Sequence, residues 1–258
     1  MPAVLKASDN KANRIIEVIV VDDGSTDDSV EFIRNNYPGV KLIVHPKNLG
    51  YTKVCNNGVA SARGDLVAIL NADVMPEASF LIPVLPHFDK PNVFSVSLNE
   101  GRHGPGKLCW DRGFMRIVPN PSIPTETAES DWGSGGSAIF KKSIWEKLGG
   151  MDERFLPYYV EDIDIGWRAK QAGYVNLWEP QAKVIHEHEQ TINPANFKKY
   201  GRKNDIELIK ERNHLLFTWK NINSVNSLIE HIFIYLVPRL IKTPGYLRAV
   251  MGAIIRIN

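Results

Sequence analysis

Val18-Ile19-Val20-Val21-Asp22-Asp23-Gly24-Ser25 joins a short aliphatic run to two adjacent acids and a turn, and Leu66-Val67-Ala68-Ile69-Leu70-Asn71-Ala72-Asp73 does so again. Both runs are β-branched or aliphatic and bounded by polar turn residues, which is how a buried parallel strand reads. On either side of these runs strand and helix patterns alternate, with strands over 15–21, 40–44 and 66–70 and helices over 26–36 and 49–62. Such alternation specifies α/β layers around a mainly parallel sheet. Ser25, Thr26 and Asp27 suit the start of the first helix, and Tyr37-Pro38-Gly39 ends it. Open sheets of this class hold ligands outside the carboxyl ends of their strands, so acids at two strand tips point to a nucleotide or metal site.

The pattern continues with a helix over 77–88 and a strand over 93–98, then a Gly- and Pro-rich excursion over 101–124 that reads as a loop covering the site. Gly133-Ser134-Gly135-Gly136 precedes a strand over 138–140; a helix over 142–148 stops at Gly149-Gly150. A helix over 161–173 and strands over 175–178 and 183–185 follow, and from Phe197 onward the pattern is helical. The expected organisation is an α/β domain over 1–220 with a helical extension over 221–258.

A chain of 258 residues with 43% hydrophobic content can bury a large core. Its 31 basic and 29 acidic residues nearly cancel to +2, so bulk charge gives no reason to expect a nucleic-acid partner. Cys55 and Cys109 lie in no metal-ligand spacing, which suits a reduced, cytoplasmic setting. Residues 1–12 lack the pattern of a secretory signal. The apolar stretch 232–237 meets Pro238-Arg239 well short of the roughly 20 residues a membrane span needs. Residues 225–258 carry Arg239, Lys242, Arg248 and Arg256 against Glu230, four minus one or +3, among aliphatic and aromatic neighbours. Such a stretch suits a helix on the inner face of the cell membrane; a helix packed on the core, or a contact in a homo-oligomer, suits it equally.

Four stretches in order carry a family resemblance: Val20 to Asp27; Asn48-Leu49-Gly50 with Asn56-Asn57-Gly58; Asn71-Ala72-Asp73; and Glu161-Asp162-Ile163-Asp164-Ile165-Gly166-Trp167-Arg168. With Gly149-Gly150-Met151-Asp152-Glu153-Arg154-Phe155, the sequence between about Glu17 and His188 resembles family 2 glycosyltransferases. The resemblance implies a GT-A fold, that is, a Rossmann-like, mixed but mainly parallel sheet with flanking helices. It also implies a nucleotide-diphosphate sugar donor, a hydroxyl acceptor on a glycan or lipid-linked glycan, a divalent cation such as Mn2+ or Mg2+, and inversion at the sugar carbon.

Residue by residue, the resemblance implies that Asp22 and Asp23 accept hydrogen bonds from the nucleotide. Asp73 is placed to hold the cation that neutralises the leaving diphosphate. Asn71 stands where the family often has a first aspartate, and so either weakens the ion or meets the ribose. Asp162 is the implied base for the acceptor hydroxyl, with Glu161 second. His186 is the implied further metal ligand, ahead of His188. Trp132, Gly135 and Gly136 fall in the segment that lines the acceptor side, and Lys53 and Arg168 are candidates near the phosphates. Arg168 stands four residues from Asp164 on one helix face, the spacing of a structural ion pair.

The family's opening strand has no counterpart here, and residues 1–8 read as the tail of the helix that follows it. Two other readings remain at this stage. One is a truncated homologue that binds nucleotide without turnover. The other is a phospho-receiver, suggested by Val20-Val21-Asp22-Asp23 and Met75-Pro76, although Ala72 stands where a receiver needs its aspartate.

Overall fold

The computed structural model describes residues 1–118, 122–187 and 203–257. The start of the expected helical tail at Phe197, and His188, lie outside them. The chain divides into two units, one of Met1–Gly106 with Asn120–His188 and one of Lys107–Pro119 with Glu189–Asn258.

The first unit opens with helix α1 (Pro2–Asp9), then β1 (Ile19–Asp22), α2 (Ser29–Asn36), β2 (Lys41–Val44), α3 (Tyr51–Ser61) and β3 (Leu66–Leu70). It continues through β4 (Val74–Pro76), β5 (Val93–Asn99), β8 (Ala128–Ser130), β9 (Ser137–Lys141), α4 (Lys142–Lys147), α5 (Glu161–Gln171) and β10 (Val175–His186). β1 and β2 form a parallel pair, whereas the main sheet runs β3-β9-β5-β10-β4 with β8 also on β10. Side chains alternate along β9, and a register irregularity in β5, where Val93 and Ser95 oppose Val175 and Asn176, puts Phe94 on the face opposite Val96 and Leu98. On one face Val96, Leu98 and Ile139 pack with Phe80, Leu81, Val84 and Ala7 of α1. On the other, Phe94, Ala138 and Phe140 pack with Cys55, Trp145, Ile165 and Ala169 from the helices.

Two expectations change. Residues 77–88 form tight turns, Ile82 N–H donating to Ser79 and Val84 N–H to Leu81, before a short helical turn at Leu85–Asp89. Pro83 and Pro86 lack the N–H groups a longer helix would need. Conversely, 175–178 and 183–185 belong to one strand, with a register break between Trp178 and Lys183 where Glu179-Pro180 bulges out.

The second unit holds the hairpin β6 (Lys107–Asp111) and β7 (Phe114–Val118), inside the span expected to be loop. With it go α6 (Lys203–Lys220), α7 (Val225–Glu230), a π-type turn (His231–Leu236), α8 (Val237–Lys242) and α9 (Leu247–Ile257). Helical dihedrals continue from Val225 through Leu236 into Val237, so the wide turn carries the helix into Pro238. Phe114 stacks on Tyr235 with centroids 4.1 Å apart, and His231 Nδ1 lies 2.6 Å from the Gly113 carbonyl.

Candidate active site

The carboxyl ends of the strands deliver the polar groups. Asp22 ends β1, and its Oδ2 accepts from the N–H groups of Gly24 (3.2 Å) and Ser25 (3.0 Å). Gly24 sits at φ +75°, and a Cβ there would lie 2.6 Å from the Lys47 carbonyl carbon, so only glycine fits this turn. Asp23 is engaged at both oxygens, since Leu49 N–H donates to Oδ1 and Gly50 N–H to Oδ2, each at 2.9 Å. His45 Nδ1 also lies 2.9 Å from Asp23 Oδ1, while Asn57 Nδ2 lies 3.0 Å from His45 Nε2. With Asn57 donating to Nε2, the imidazole proton sits on Nδ1 and faces Asp23. Asp23 thus ties the first strand tip to the loop that starts α3.

Asp73 and His186 meet because β4 and β10 run antiparallel with Val74 opposite His186. His186 Nε2 lies 3.2 Å from Asp73 Oδ1, and Nδ1 lies 3.0 Å from Glu100 Oε2. Glu100 also accepts a short hydrogen bond from the Ser137 hydroxyl. Glu100 was missed in the sequence, yet it carried the same signal as Asp22 and Asp73: an acid just beyond an apolar strand, here β5. Among the described residues no group of three or more His, Cys, Asp or Glu stands ready to hold a metal by itself. The Asp73–His186 pair fits a cation nonetheless. Its 3.2 Å spacing is close to the ~3 Å between neighbouring ligands on an ion with bonds of about 2.1 Å. An ion of this kind takes most of its other ligands from substrate phosphates and water.

The glycine loop before β9 connects this pair to the acids of α5. Asn71 N–H donates to the Gly136 carbonyl at 2.9 Å, while Gly135 N–H donates to Asp162 Oδ2, also at 2.9 Å. Tyr51 donates a short hydrogen bond to the Gly135 carbonyl, and burial holds its phenol well above the usual range, so it stays a donor. A Cβ on Gly135 would stand 3.1 Å from that of Asp162, and one on Gly136 would run into the Asn71 amide. Trp132 is half-buried against Gly106 and Gly166, each of which has no room for a Cβ.

Glu161 and Asp162 begin α5, after Tyr159 and Val160 have both taken positive φ, 75° and 77°. For a β-branched residue this is strained backbone, and strain of this kind gathers at functional sites. The two acids differ in surroundings. Glu161 is buried, and its Oε2 has no hydrogen-bond partner among the described residues; burial first, then the charge of Asp162, push its carboxyl well above the ordinary range. Burial also raises Asp162, but N–H groups of Gly135 and Ile163 bond its carboxylate and oppose the shift. Of the two acids, Glu161 therefore holds a proton more tightly and Asp162 is the better site for the negative charge.

Two candidates have structural partners. Arg168 donates to Asp164 Oδ2 (2.8 Å) and to the Leu148 and Gly150 carbonyls, each at 2.6 Å. Lys53 pairs with Glu153 at 3.2 Å on the surface, an arrangement worth little to stability. Cys55 is buried, which pushes its thiol up to about 12 and leaves it an inert core residue.

The family model for glycosyl transferase family 2 matches residues 3–147, more than half of the chain. The chain belongs to glycosyl transferase family 2. This family 2 chain is 31% identical over 188 residues to the pre-mycofactocin glycosyltransferase of Mycobacterium tuberculosis, covering 69% of the chain but 39% of that relative. To the N-acetylglucosaminyl-diphospho-decaprenol L-rhamnosyltransferase of the same organism it is 26% identical over 217 residues, covering 70% of each. The fold is GT-A. The chain superposes on GalNAc-T7, solved with UDP, GalNAc and Mn2+, with TM-score 0.58 at 18% identity, over 79% of this chain and 41% of that one. With the mannosyltransferase PcManGT from Pyrobaculum calidifontis, solved with GDP-Man and Mn2+, the TM-score is 0.55 at 17% identity, over 97% and 70%.

Proposed function

We propose that this family 2 chain transfers a sugar, with inversion, from a nucleotide-diphosphate sugar to a hydroxyl of a glycan or lipid-linked glycan in envelope polysaccharide synthesis. The observation that carries the proposal is the glycine loop bonded on one side to Asn71 and on the other to Asp162. It links a carboxylate–imidazole pair suited to a divalent cation with an ionised carboxylate suited to a base.

In this reading Asp22 Oδ1, beside the oxygen already taken by the turn, accepts from the nucleotide, and Asp23 acts by holding the loop that borders it. Asp73 and His186 hold Mn2+ or Mg2+, which when bound neutralises charge on the leaving diphosphate. Glu100 Oε2, 3.0 Å from Nδ1 of His186, sets a carboxylate beside the imidazole on the side away from Asp73. Asn71 supplies a neutral oxygen. The acceptor hydroxyl attacks the anomeric carbon from the face opposite the diphosphate. A C–O bond forms, the sugar–phosphate C–O bond breaks with its electron pair leaving on the diphosphate, and the hydroxyl proton passes to Asp162. The uncharged Glu161 keeps a second negative charge away from that base, and Trp132 with Gly135 and Gly136 borders the acceptor.

The name of the decaprenol-linked rhamnosyltransferase supports a lipid-linked acceptor, and that of the O-antigen chain rhamnosyltransferase WbaN of Salmonella anatum, 26% identical over 194 residues, supports a surface polysaccharide. The test is a thermal-shift panel of UDP, GDP and dTDP sugars with and without Mn2+, followed by a transfer assay with the donor that shifts. Absence of a shift with every donor would count against the proposal.

A further inference from the structure

We infer that the C-terminal helices form a docking surface for an anionic lipid bilayer. Residues 231–257 contain no Asp or Glu but four basic residues, Arg239, Lys242, Arg248 and Arg256. The inward positions of this stretch are filled: His231, Tyr246, Ala249, Val250 and Ala253 are buried. Its large apolar side chains elsewhere remain in water, Phe233 67% exposed, Ile241 75% and Ile255 76%.

The exposed residues fall in order along each helix. Phe233, Val237 and Ile241 recur at intervals of four through the π-type turn and α8, and Leu247, Met251 and Ile255 do the same along α9. Each helix therefore has a second apolar stripe besides the one that packs. Lys242 and Arg248, both exposed, flank the turn between the stripes, and neither has an acidic partner among the described residues. No described helix is long and apolar enough to cross a membrane. Arg239 is already paired with Glu211 at 2.7 Å, so the cations on offer are Lys242 and Arg248. Apolar stripes edged by these two match a headgroup boundary, where side chains sink a few ångströms while Lys and Arg meet phosphates. A second copy of the same 27-residue stretch would offer these cations no counter-charge, whereas lipid phosphates do.

The test is flotation of the 258-residue chain with phosphatidylglycerol/phosphatidylcholine vesicles and with phosphatidylcholine alone, at low and high salt. Expected are binding to the anionic vesicles only, weakened by salt, and roughly thirtyfold weaker partitioning for Lys242→Ser/Arg248→Ser. Ile241→Ser/Ile255→Ser should abolish binding with an unchanged Tm, since both positions are three-quarters exposed; Phe233→Ser, scored with its own Tm, gives an independent check. No binding to anionic vesicles, binding that survives the isoleucine substitutions, or a dimer in sedimentation that these substitutions dissolve and vesicles do not would each overturn the inference. Nucleotide binding measured on the same preparations separates such a failure from failure of the transferase reading.

Discussion

Replacing Glu161 with glutamine should stabilise the protein increasingly as pH rises. Glu161 is 5% exposed and its carboxyl is raised well above the ordinary value of 4.5 by burial and by Asp162. Its folded form stays protonated at pH values where the unfolded chain has released the proton. The sign follows: this group's contribution to stability is fully present below pH 4.5 and is lost as pH climbs toward the raised folded value. Within that window the loss is about 1.4 kcal/mol per pH unit, and glutamine, which does not titrate, escapes it. At pH 4 the two proteins should differ by no more than about 1 kcal/mol, because both side chains are largely neutral and Oε2 has no partner among the described residues to lose. Above pH 4.5 the Tm of Glu161→Gln should gain roughly 3–6 °C per pH unit until the folded value is reached. Thermal unfolding followed by circular dichroism from pH 4 to 8 measures this. A Tm difference constant across that range would refute the assignment of the proton to Glu161.

Other substitutions probe the remaining parts. Glu100→Gln should weaken Mn2+ binding in the presence of a nucleoside diphosphate by about 10–100-fold in calorimetry, with the metal-free Tm little changed; unaltered affinity would remove Glu100 from the site. Asp162→Asn should lower transfer by about 10²–10⁴-fold while the donor-induced thermal shift persists, and wild-type kcat/KM should fall on the acid side with a midpoint above the ordinary aspartate range, because burial raises this group. Retained turnover in Asp162→Asn would move the base elsewhere. Asp23→Ala strands the Leu49 and Gly50 N–H groups and should cost on the order of 3 kcal/mol in denaturant unfolding; a neutral effect would mean the loop does not depend on this carboxylate.

Much of this was legible in the sequence where the signal was local. The apolar runs before Asp22 and Asp73 form strands, and the spacing of Asp164 and Arg168 makes the ion pair. What escaped depended on partners distant in sequence. That Asp23 ties down the loop before α3 was hidden because its N–H donors come from residues 49 and 50. Glu100 was unremarkable until strand order set β5 and β10 side by side and brought His186 against it. The hairpin of β6 and β7 was hidden in a span whose glycines and prolines suggested only a loop, and its grouping with the C-terminal helices has no local signature. Residues 77–88 turn instead of forming one helix because Pro83 and Pro86 lack the N–H groups it would need.

The most direct measurement is the Tm of this chain with UDP, GDP and dTDP sugars, with and without Mn2+, alongside Asp73→Ala. One donor class should raise the Tm by roughly 5–10 °C at a hundred times its Kd. The rise should require Mn2+ and should vanish in Asp73→Ala. A rise that survives loss of the metal or of Asp73, or no rise with any of the three, would contradict the metal-assisted nucleotide-sugar site.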